Sequence, residues 1–533
     1  MMREKFLSQK KEKREPKKEE EKIILSSLEY IEKMEELGLL EHAKTYKKVL
    51  EIAKAIKEAG GQALLVGGAV RDMIMGVYPK DFDIEVYKLP PKKVEEIVNR
   101  FGKVSDVGKA FGILKVFLKD GLDIDVSLPR TDSKIEAGHK GFEVKTDPYM
   151  SIEDAARRRD FTINSVAYDP LENELYNPFG GVEDIKNRIL RVTDPERFRD
   201  DPLRVMRALQ FIGRFGLEIH KDTIPILREM TPQLKELPKE RIGEEWKKLL
   251  LKAEKPSLGL EAGVILGVFR ELHPEFPLSI ESSQGKKSPP ESDLWIYTLM
   301  SVDEAAKIIR REELSEKKAI TIMLSVLCTD LGKAIPERFE EKDIQDKQKR
   351  WSEELVRKFL SKIGIDNLTK KKVIKLISHY LVPTKLYIEE IVRGNKVKDG
   401  VIRNLAKEID PATIQELVLV SEADHLGRGV FIEPEIAEQL LLPQDKFLPR
   451  EWLIKRARAL KVEKSRPVDL TRGRDWLNFG YTPGPHIGVL IDLSNRLRDE
   501  KDFSKEMVFQ LVDGIEDPKE AIKILKAKLV QKE

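Results

Sequence analysis

Two aspartates separated by one residue, Asp81 and Asp83, follow a glycine pair and an arginine in the stretch Gly67-Gly68-Ala69-Val70-Arg71-Asp72. Residues two apart on a strand face the same way, so Asp-x-Asp there offers two carboxylates side by side. Carboxylate and phosphate oxygens together suit Mg²⁺. Two such ions can activate an attacking hydroxyl and stabilise a leaving pyrophosphate. The glycines let backbone approach a phosphate, and N–H groups at a helix start favour anions. Arg71 adds a planar fork of donors for phosphate oxygens. Asp-x-Asp alone can be a polar strand face, and Gly-Gly alone a tight turn. In this order they describe a triphosphate cradle followed by a metal-binding strand. Asp125, on a neighbouring strand pattern, is a third candidate carboxylate.

The elements that must position these groups are legible around them. Glu41 to Ala59 has helical periodicity, with Val49, Ile52, Ala53 and Ile56 on one face and Gly60-Gly61 at its end. Ala63 to Val66 is a short buried strand that delivers the glycines, and Val70 to Met75 starts a helix. Phe82, Ile84 and Val86 alternate with Asp81, Asp83 and Glu85, a period-two strand with one acidic face. Lys92 to Phe101 reads as a helix. Ile113–Leu118 and Leu122–Ser127 form a hairpin around Asp120-Gly121. Asp132 to Gly141 reads as a mobile loop. Ser151 caps a helix running to Arg159, followed by the apolar run Phe161 to Tyr168. Beyond Gly181 strand signals nearly vanish, and Ser283 to Ser292 is the clearest linker.

Composition limits the rest. The 533 residues are 41% hydrophobic and 35% charged, enough for several cored domains under a charged surface. The net charge of +3 means that any nucleic-acid surface must come from local clustering. One cysteine, Cys328, excludes a disulfide framework and fits a reducing cytoplasm. No apolar run reaches the roughly 18 residues of a membrane span, and no signal-peptide core is present. The mixed Lys/Glu run over 3–22 reads as a solvated tail or helix, with a basic RNA-contacting arm as the alternative.

Five ordered motifs resemble the class II tRNA nucleotidyltransferase and bacterial poly(A) polymerase family, within the polymerase-β-like nucleotidyltransferases. The first is the glycine–arginine stretch with Asp81-Phe82-Asp83. The second is Arg158-Arg159-Asp160-Phe161-Thr162-Ile163-Asn164. Asp184 to Arg188, leading to Arg191-Val192, resembles the hinge. Asp200-Asp201-Pro202-Leu203-Arg204-Val205-Met206-Arg207-Ala208 resembles the nucleotide-selecting motif, with Asp where the family usually has Glu at position 200. Glu240-Arg241-Ile242-Gly243-Glu244-Glu245 resembles a helix-stabilising motif.

The resemblance implies an α+β chain: a head of small mixed sheet with helices, then a mostly α-helical neck, body and tail. It assigns catalysis to Asp81, Asp83 and Asp125, and Mg²⁺ to Asp81 and Asp83. Nucleotide contacts fall to Gly67, Gly68, Arg71, Asp72, Arg158, Arg159, Asp160, Asn164, Asp201, Arg204 and Arg207. Asp201, Arg204 and Arg207 step by three and would share a helix face, with Val205, Ala208, Leu209 and Ile212 buried behind. In the family an Asp and an Arg at 201 and 204 read the incoming base. A carboxylate acceptor and a guanidinium donor match the amino and ring-nitrogen edge that C and A share.

A second resemblance is decayed. Asp293 to Met300 and Leu327 to Lys333 resemble an HD phosphohydrolase domain, but Tyr297 and Thr329 stand where that domain has histidine. Asp330 without histidine is a poor transition-metal site. His379 and His425 read as ordinary structural residues, and the segment around Ser421 to Arg428 tilts the substrate toward tRNA. In Thr471 to Ile487, two arginines near Trp476 are compatible with gripping tRNA or with a plain surface loop.

The expected organisation is a charged extension and helix over 1–60, the head over 61–180, and the neck over 181–255. A degenerate HD-like body over 256–430 and a tRNA-binding tail over 431–533 follow. The expected activity is template-independent addition of C and A to tRNA 3′ ends from CTP and ATP: CCA, or part of it such as CC. A poly(A) polymerase and a non-catalytic RNA-binding protein on the same scaffold remain as alternatives, and the oligomeric state is open.

Overall fold

The computed structural model describes residues 24–79, 81–105, 113–118, 123–134, 142–276, 294–331, 344–429, 443 and 445–531. The 283–292 linker and the Asp120-Gly121 turn lie outside these residues. The chain forms two compact units. One comprises Glu4–Leu249 with Leu258–Pro274, and the other comprises Leu250–Ser257 with Glu275–Glu533 and Met1–Arg3.

The first unit begins with helices α1 (Ser27–Glu36) and α2 (Leu40–Glu58). Strand β1 (Gln62–Val66) runs into helix α3 (Gly68–Ile74), and β2 (Asp83–Tyr87) into α4 (Pro91–Val98). Then come β3 (Gly102–Ser105), β4 (Ile113–Leu118), β5 (Asp123–Ser127), β6 (Arg130–Lys134) and β7 (Phe142–Thr146). Helix α5 (Ile152–Arg157), β8 (Ala167–Asp169) and β9 (Glu174–Tyr176) complete the head. Seven strands form one mixed sheet in the order β3-β4-β5-β2-β1-β8-β9, with β6 and β7 as a separate pair. The β2–β5 pairing is parallel and sets Asp83 beside Asp125; its neighbours in the sheet are antiparallel.

Phe82, just ahead of β2, packs toward the N-terminal helices. Phe82 lies 5.5 Å from Tyr46, which lies 4.7 Å from Tyr30. Burying a phenylalanine this fully contributes roughly 1.5–3 kcal/mol, so the N-terminal helices clamp the acidic strand from behind. The face carrying Glu85 is also closed: Glu85 is only 1% exposed. The acidic face is therefore solvated at Asp81 and interior at Glu85, because the Arg158-Arg159 segment covers that end. Part of the expected mobile loop is strand, since Asp132 pairs with Val144 and Lys134 with Phe142.

The neck holds α6 (Gly181–Lys186), the pair β10 (Ile189–Leu190) and β11 (Glu218–Ile219), α7 (Pro195–Phe198), α8 (Leu203–Phe215), α9 (Thr223–Met230) and α10 (Lys239–Lys252). Helices α11 (Pro256–Ile265) and α12 (Val268–Leu272) follow.

The second unit is helical among its described residues. It contains α13 (Leu294–Arg311), α14 (Glu316–Cys328), α15 (Ile344–Lys362), α16 (Asn367–His379), α17 (Val382–Tyr387), α18 (Asp399–Glu408) and α19 (Ile414–Gly429). The last five helices are α20 (Leu448–Ala459), α21 (Gly473–Asn478), α22 (Pro485–Lys501), α23 (Lys505–Leu511) and α24 (Pro518–Val530). Pro256 and Pro383 stand at helix starts, where proline costs no intrahelical hydrogen bond. No helix among the described residues is long and apolar enough to cross a membrane.

Candidate active site

The site is built where β1 ends. Gly67 has φ +68°, a left-handed conformation that only glycine adopts without strain. A side chain there would also have to displace the end of Arg159. A β-carbon there would lie 2.9 Å from Arg159 Nη1 and 3.8 Å from Asp83 Oδ2. The glycine turn, Arg159 and Asp83 therefore meet at one point, although Arg159 is remote in sequence.

Asp83 is half-buried, and neither it nor Asp81 makes an ion pair among the described residues. Burial pushes the Asp83 carboxyl up to about 6. Arg159 opposes that shift, and the like charges of Asp125, Asp81 and Glu85 add to it. Asp125 is adjacent by register but faces Lys115, 3.8 Å away, which also pairs with Asp123. Among the described residues no group of three or more acidic, His or Cys side chains is arranged to hold a metal. Asp125 lies opposite Asp83 in the β2–β5 register and its charge acts on Asp83, while its neighbour on β4 is Lys115. Two carboxylates that make no ion pair among the described residues, beside the glycine turn, fit a divalent cation shared with phosphates.

Several residues expected to touch nucleotide are turned inward. Arg71 is buried. It donates from Nε and Nη2 to Asp72 Oδ1 at 2.9 and 2.6 Å, and from Nη1 to Asn164 Oδ1 at 2.7 Å. Its guanidinium lies over Phe215, 4.4 Å from the ring centre. Desolvation lowers its pKa against the pull of Asp72. Asp160 is buried too: Oδ1 accepts from Asn164 Nδ2 and the Phe161 N–H, both at 2.9 Å, and Oδ2 accepts from Arg207 Nε at 2.6 Å. Burial works against its charge, but Arg207 and Asn164 hold the Asp160 carboxyl below the ordinary aspartate value. Asp72, Asn164 and Asp160 thus form a frame that fixes Arg71 and Arg207.

The nucleotide-selecting motif differs in one detail from a helix face. Helix α8 starts at Leu203, so Asp201 precedes it and accepts from the Leu203 N–H at 3.1 Å. Its other oxygen accepts from Arg241 Nη2 at 2.9 Å. Arg204 donates to the carbonyls of Arg197 and Arg158 at 2.8 and 2.7 Å, tying α8 to the second motif. Val205, Ala208, Leu209 and Ile212 are buried as their spacing indicates. In the hinge, Arg191 donates to both oxygens of Asp184 at 2.9 and 3.2 Å.

Two partners were assigned no role from sequence. Arg241 lies in the last motif, but its pairing with Asp201 has no local signal. Glu85 does have one: it continues the Asp81, Asp83 period by two. Its Oε1 accepts from Arg158 Nη2 at 2.8 Å and lies 3.6 Å from Arg159 Nη2. Its Oε2 accepts from the Tyr87 hydroxyl at 2.7 Å. Burial alone would raise the Glu85 pKa, but Arg159 and Arg158 bring it below the usual value.

Comparison with known proteins agrees with this geometry. A family model described as the poly(A) polymerase head domain matches residues 63–191. Another, described as the probable RNA and SrmB-binding site of polymerase A, matches 216–278. The multifunctional CCA protein of Xylella fastidiosa is 30% identical over 380 residues, covering 69% of this chain and 84% of the relative. The chain belongs to the class II tRNA nucleotidyltransferase family. The multifunctional CCA protein of Mannheimia succiniciproducens is 29% identical over 400 residues, covering 73% of this chain and 88% of the relative. The fold is that of solved class II tRNA nucleotidyltransferases. The Bacillus stearothermophilus CCA-adding enzyme in complex with CTP superposes with a TM-score of 0.58 at 22% identity, covering 86% of this chain and 93% of the other. The Thermotoga maritima CCA-adding enzyme complexed with tRNA-CCA gives 0.51 at 20% identity, covering 91% and 96%.

Proposed function

We propose that this nucleotidyltransferase adds C and A to the 3′ end of tRNA from CTP and ATP, making CCA or part of it such as CC, without a nucleic-acid template. The observation that carries the reading is the meeting of Gly67, Arg159 and Asp83 at one point, with Asp81 two residues before Asp83. The relatives named as multifunctional CCA proteins support tRNA as the substrate.

Asp81 and Asp83 would hold Mg²⁺, whose chemistry is to lower the pKa of the attacking hydroxyl and neutralise charge on the leaving pyrophosphate. The tRNA 3′-oxygen forms the new bond to the α-phosphorus, the α–β bridging bond breaks, and the hydroxyl proton is lost. The Gly67-Gly68 turn lets the triphosphate approach backbone, and Arg159 lies over it as the nearest guanidinium. Arg158 is anchored by Glu85 beside it. Asp72, Asn164 and Asp160 act one step back, by fixing Arg71 and Arg207. Asp201, oriented by Arg241, and Arg204 would present acceptor and donor to the base edge. Asp125 would act only through the local field. A reducing cytoplasm is part of this reading.

The test supplies purified protein with tRNAs lacking all, two or one of the terminal nucleotides, with CTP and ATP separately and together and Mg²⁺ present. Growth that stops at CCA, or at CC, supports the proposal. Open-ended growth on ATP alone would make the chain a poly(A) polymerase, and no incorporation would favour an RNA-binding scaffold.

A further inference from the structure

Glu85 is the most buried carboxylate on the acidic strand, yet it is the one that meets the arginines. Asp81, Asp83 and Glu85 follow the same period along β2, and burial rises inward along that face. Both Arg158 and Arg159 direct an Nη2 atom at the same Glu85 oxygen, at 2.8 and 3.6 Å. The second oxygen is fixed by the Tyr87 hydroxyl, so the carboxylate has little freedom to turn. The other end of the Arg159 guanidinium reaches the Gly67 turn, which Asp83 Oδ2 also borders. Arg159 thus lies between two carboxylates and makes its ion pair with the inner one.

This arrangement is not the one that charge alone requires. Asp83 is closer to solvent than Glu85, and pairing it with a neighbouring guanidinium would relieve the cost of its own burial. A carboxylate tied up bidentately by arginine would, however, offer poor lone pairs to a cation.

We propose that Glu85 is a positioning residue that holds Arg159 off Asp83, keeping the Asp81–Asp83 carboxylates open for a divalent cation while leaving Arg159 over the glycine turn. The proposal rests on the reading of Asp81 and Asp83 as the cation ligands. It predicts that removing the Glu85 charge lets Arg159 swing onto Asp83 and close the site.

The experiment measures Mn²⁺ binding to the full chain by electron paramagnetic resonance, without nucleotide, for wild type, D83N, E85Q, E85D and E85Q/R159Q. Binding that depends on Asp83 is expected in wild type. E85Q is expected to weaken it about tenfold, the scale of one lost favourable charge contact. E85D keeps the affinity because it keeps the charge. The double variant recovers it, because the guanidinium beside Asp83 is gone, and it keeps the test open where E85Q alone does not fold. A crystal structure of E85Q, or of E85Q/R159K where E85Q does not crystallise, is expected to show residue 159 in ion-pair contact with Asp83. Unchanged Mn²⁺ binding in E85Q overturns the proposal while leaving the ligand reading intact. A double variant as weak as E85Q, or an arginine that stays over Gly67 in the E85Q crystal, also overturns it. Binding that survives in D83N removes the ligand reading and the proposal together.

Discussion

Asp81 and Asp83 in the head are an exposed and a half-buried aspartate, whereas Asp330 and Asp424 in the helical unit are both buried, and the cations around the two pairs differ. In the helical unit an arginine lies between them. Arg428 Nη2 donates to both oxygens of Asp330 at 2.6 and 2.7 Å, and its Nε donates to Asp424 at 2.8 Å. Its guanidinium also lies over Tyr297, 5.2 Å from the ring centre, where the HD pattern would have histidine. Burial would lower the Arg428 pKa, but Asp330 and Asp424 raise it far above the ordinary value. In the head no cation of the described chain pairs with Asp81 or Asp83, and the nearest arginine is engaged by Glu85. A buried acidic pair with its own guanidinium is a structural rivet. A pair without one is a place for a cation from outside. The helical unit thus keeps an acidic centre while Arg428 fills the cation's role.

The largest stability effect should come from breaking the rivet. R428M takes the guanidinium away from Asp330 and Asp424 and is expected to cost about 3–5 kcal/mol in chemical denaturation. A loss under about 1 kcal/mol would mean that water already screens the pair. D83N should do the opposite. The folded-state pKa of about 6 exceeds the ordinary aspartate value of 3.8, so the folded protein binds this proton more tightly than the unfolded chain. The stability Asp83 contributes is present below pH 4 and lost as pH rises through about 6. Without divalent cation at pH 7, D83N is therefore expected to be the more stable protein, by on the order of 1–3 kcal/mol, with no Asp83 step between pH 4 and 6. A destabilised D83N would show that Asp83 is held by structure rather than kept open at a cost. The smallest effect is T298V. The Thr298 hydroxyl reaches Asp330 at 3.1 Å but also the Leu294 carbonyl at 2.9 Å, and it has one proton to give. Its loss should cost about 1 kcal/mol or less.

The glycine turn, the Asp-x-Asp strand and the helix behind it were legible because period and turn chemistry are local. The Ser151 cap was legible for the same reason, and its hydroxyl accepts the Asp154 N–H at 3.0 Å. The inward roles of Arg71, Asp72, Asp160 and Asn164 were not legible. A motif shows which residues gather at a site but not which of them face the ligand and which brace the others. Asp125 shows a similar limit: its strand position follows from alternation, but the lysine opposite depends on hairpin register. The acidic face of β2 closes at Glu85 because two arginines from far along the chain cover it, and no periodicity reports that. Trp476, in a stretch whose sequence fits either a tRNA grip or a plain surface loop, is wholly buried and donates to Thr471 at 3.0 Å, so its ring belongs to the core of the tail. His379 and His425 do hydrogen-bond backbone carbonyls, of Lys375 and Pro443.

The central claim is that the two acidic pairs have opposite uses, and one measurement tests it directly. Incorporation of C and A into tRNA lacking its terminal nucleotides is compared for wild type, D83N and R428M, with rates expressed per folded molecule. D83N is expected to lose about a hundredfold to a thousandfold, as when electrostatic stabilisation of a transition state is removed. R428M, though far less stable, is expected to turn over at the wild-type rate once folded. Near-normal incorporation by D83N, or a comparable loss in folded R428M, would contradict the claim.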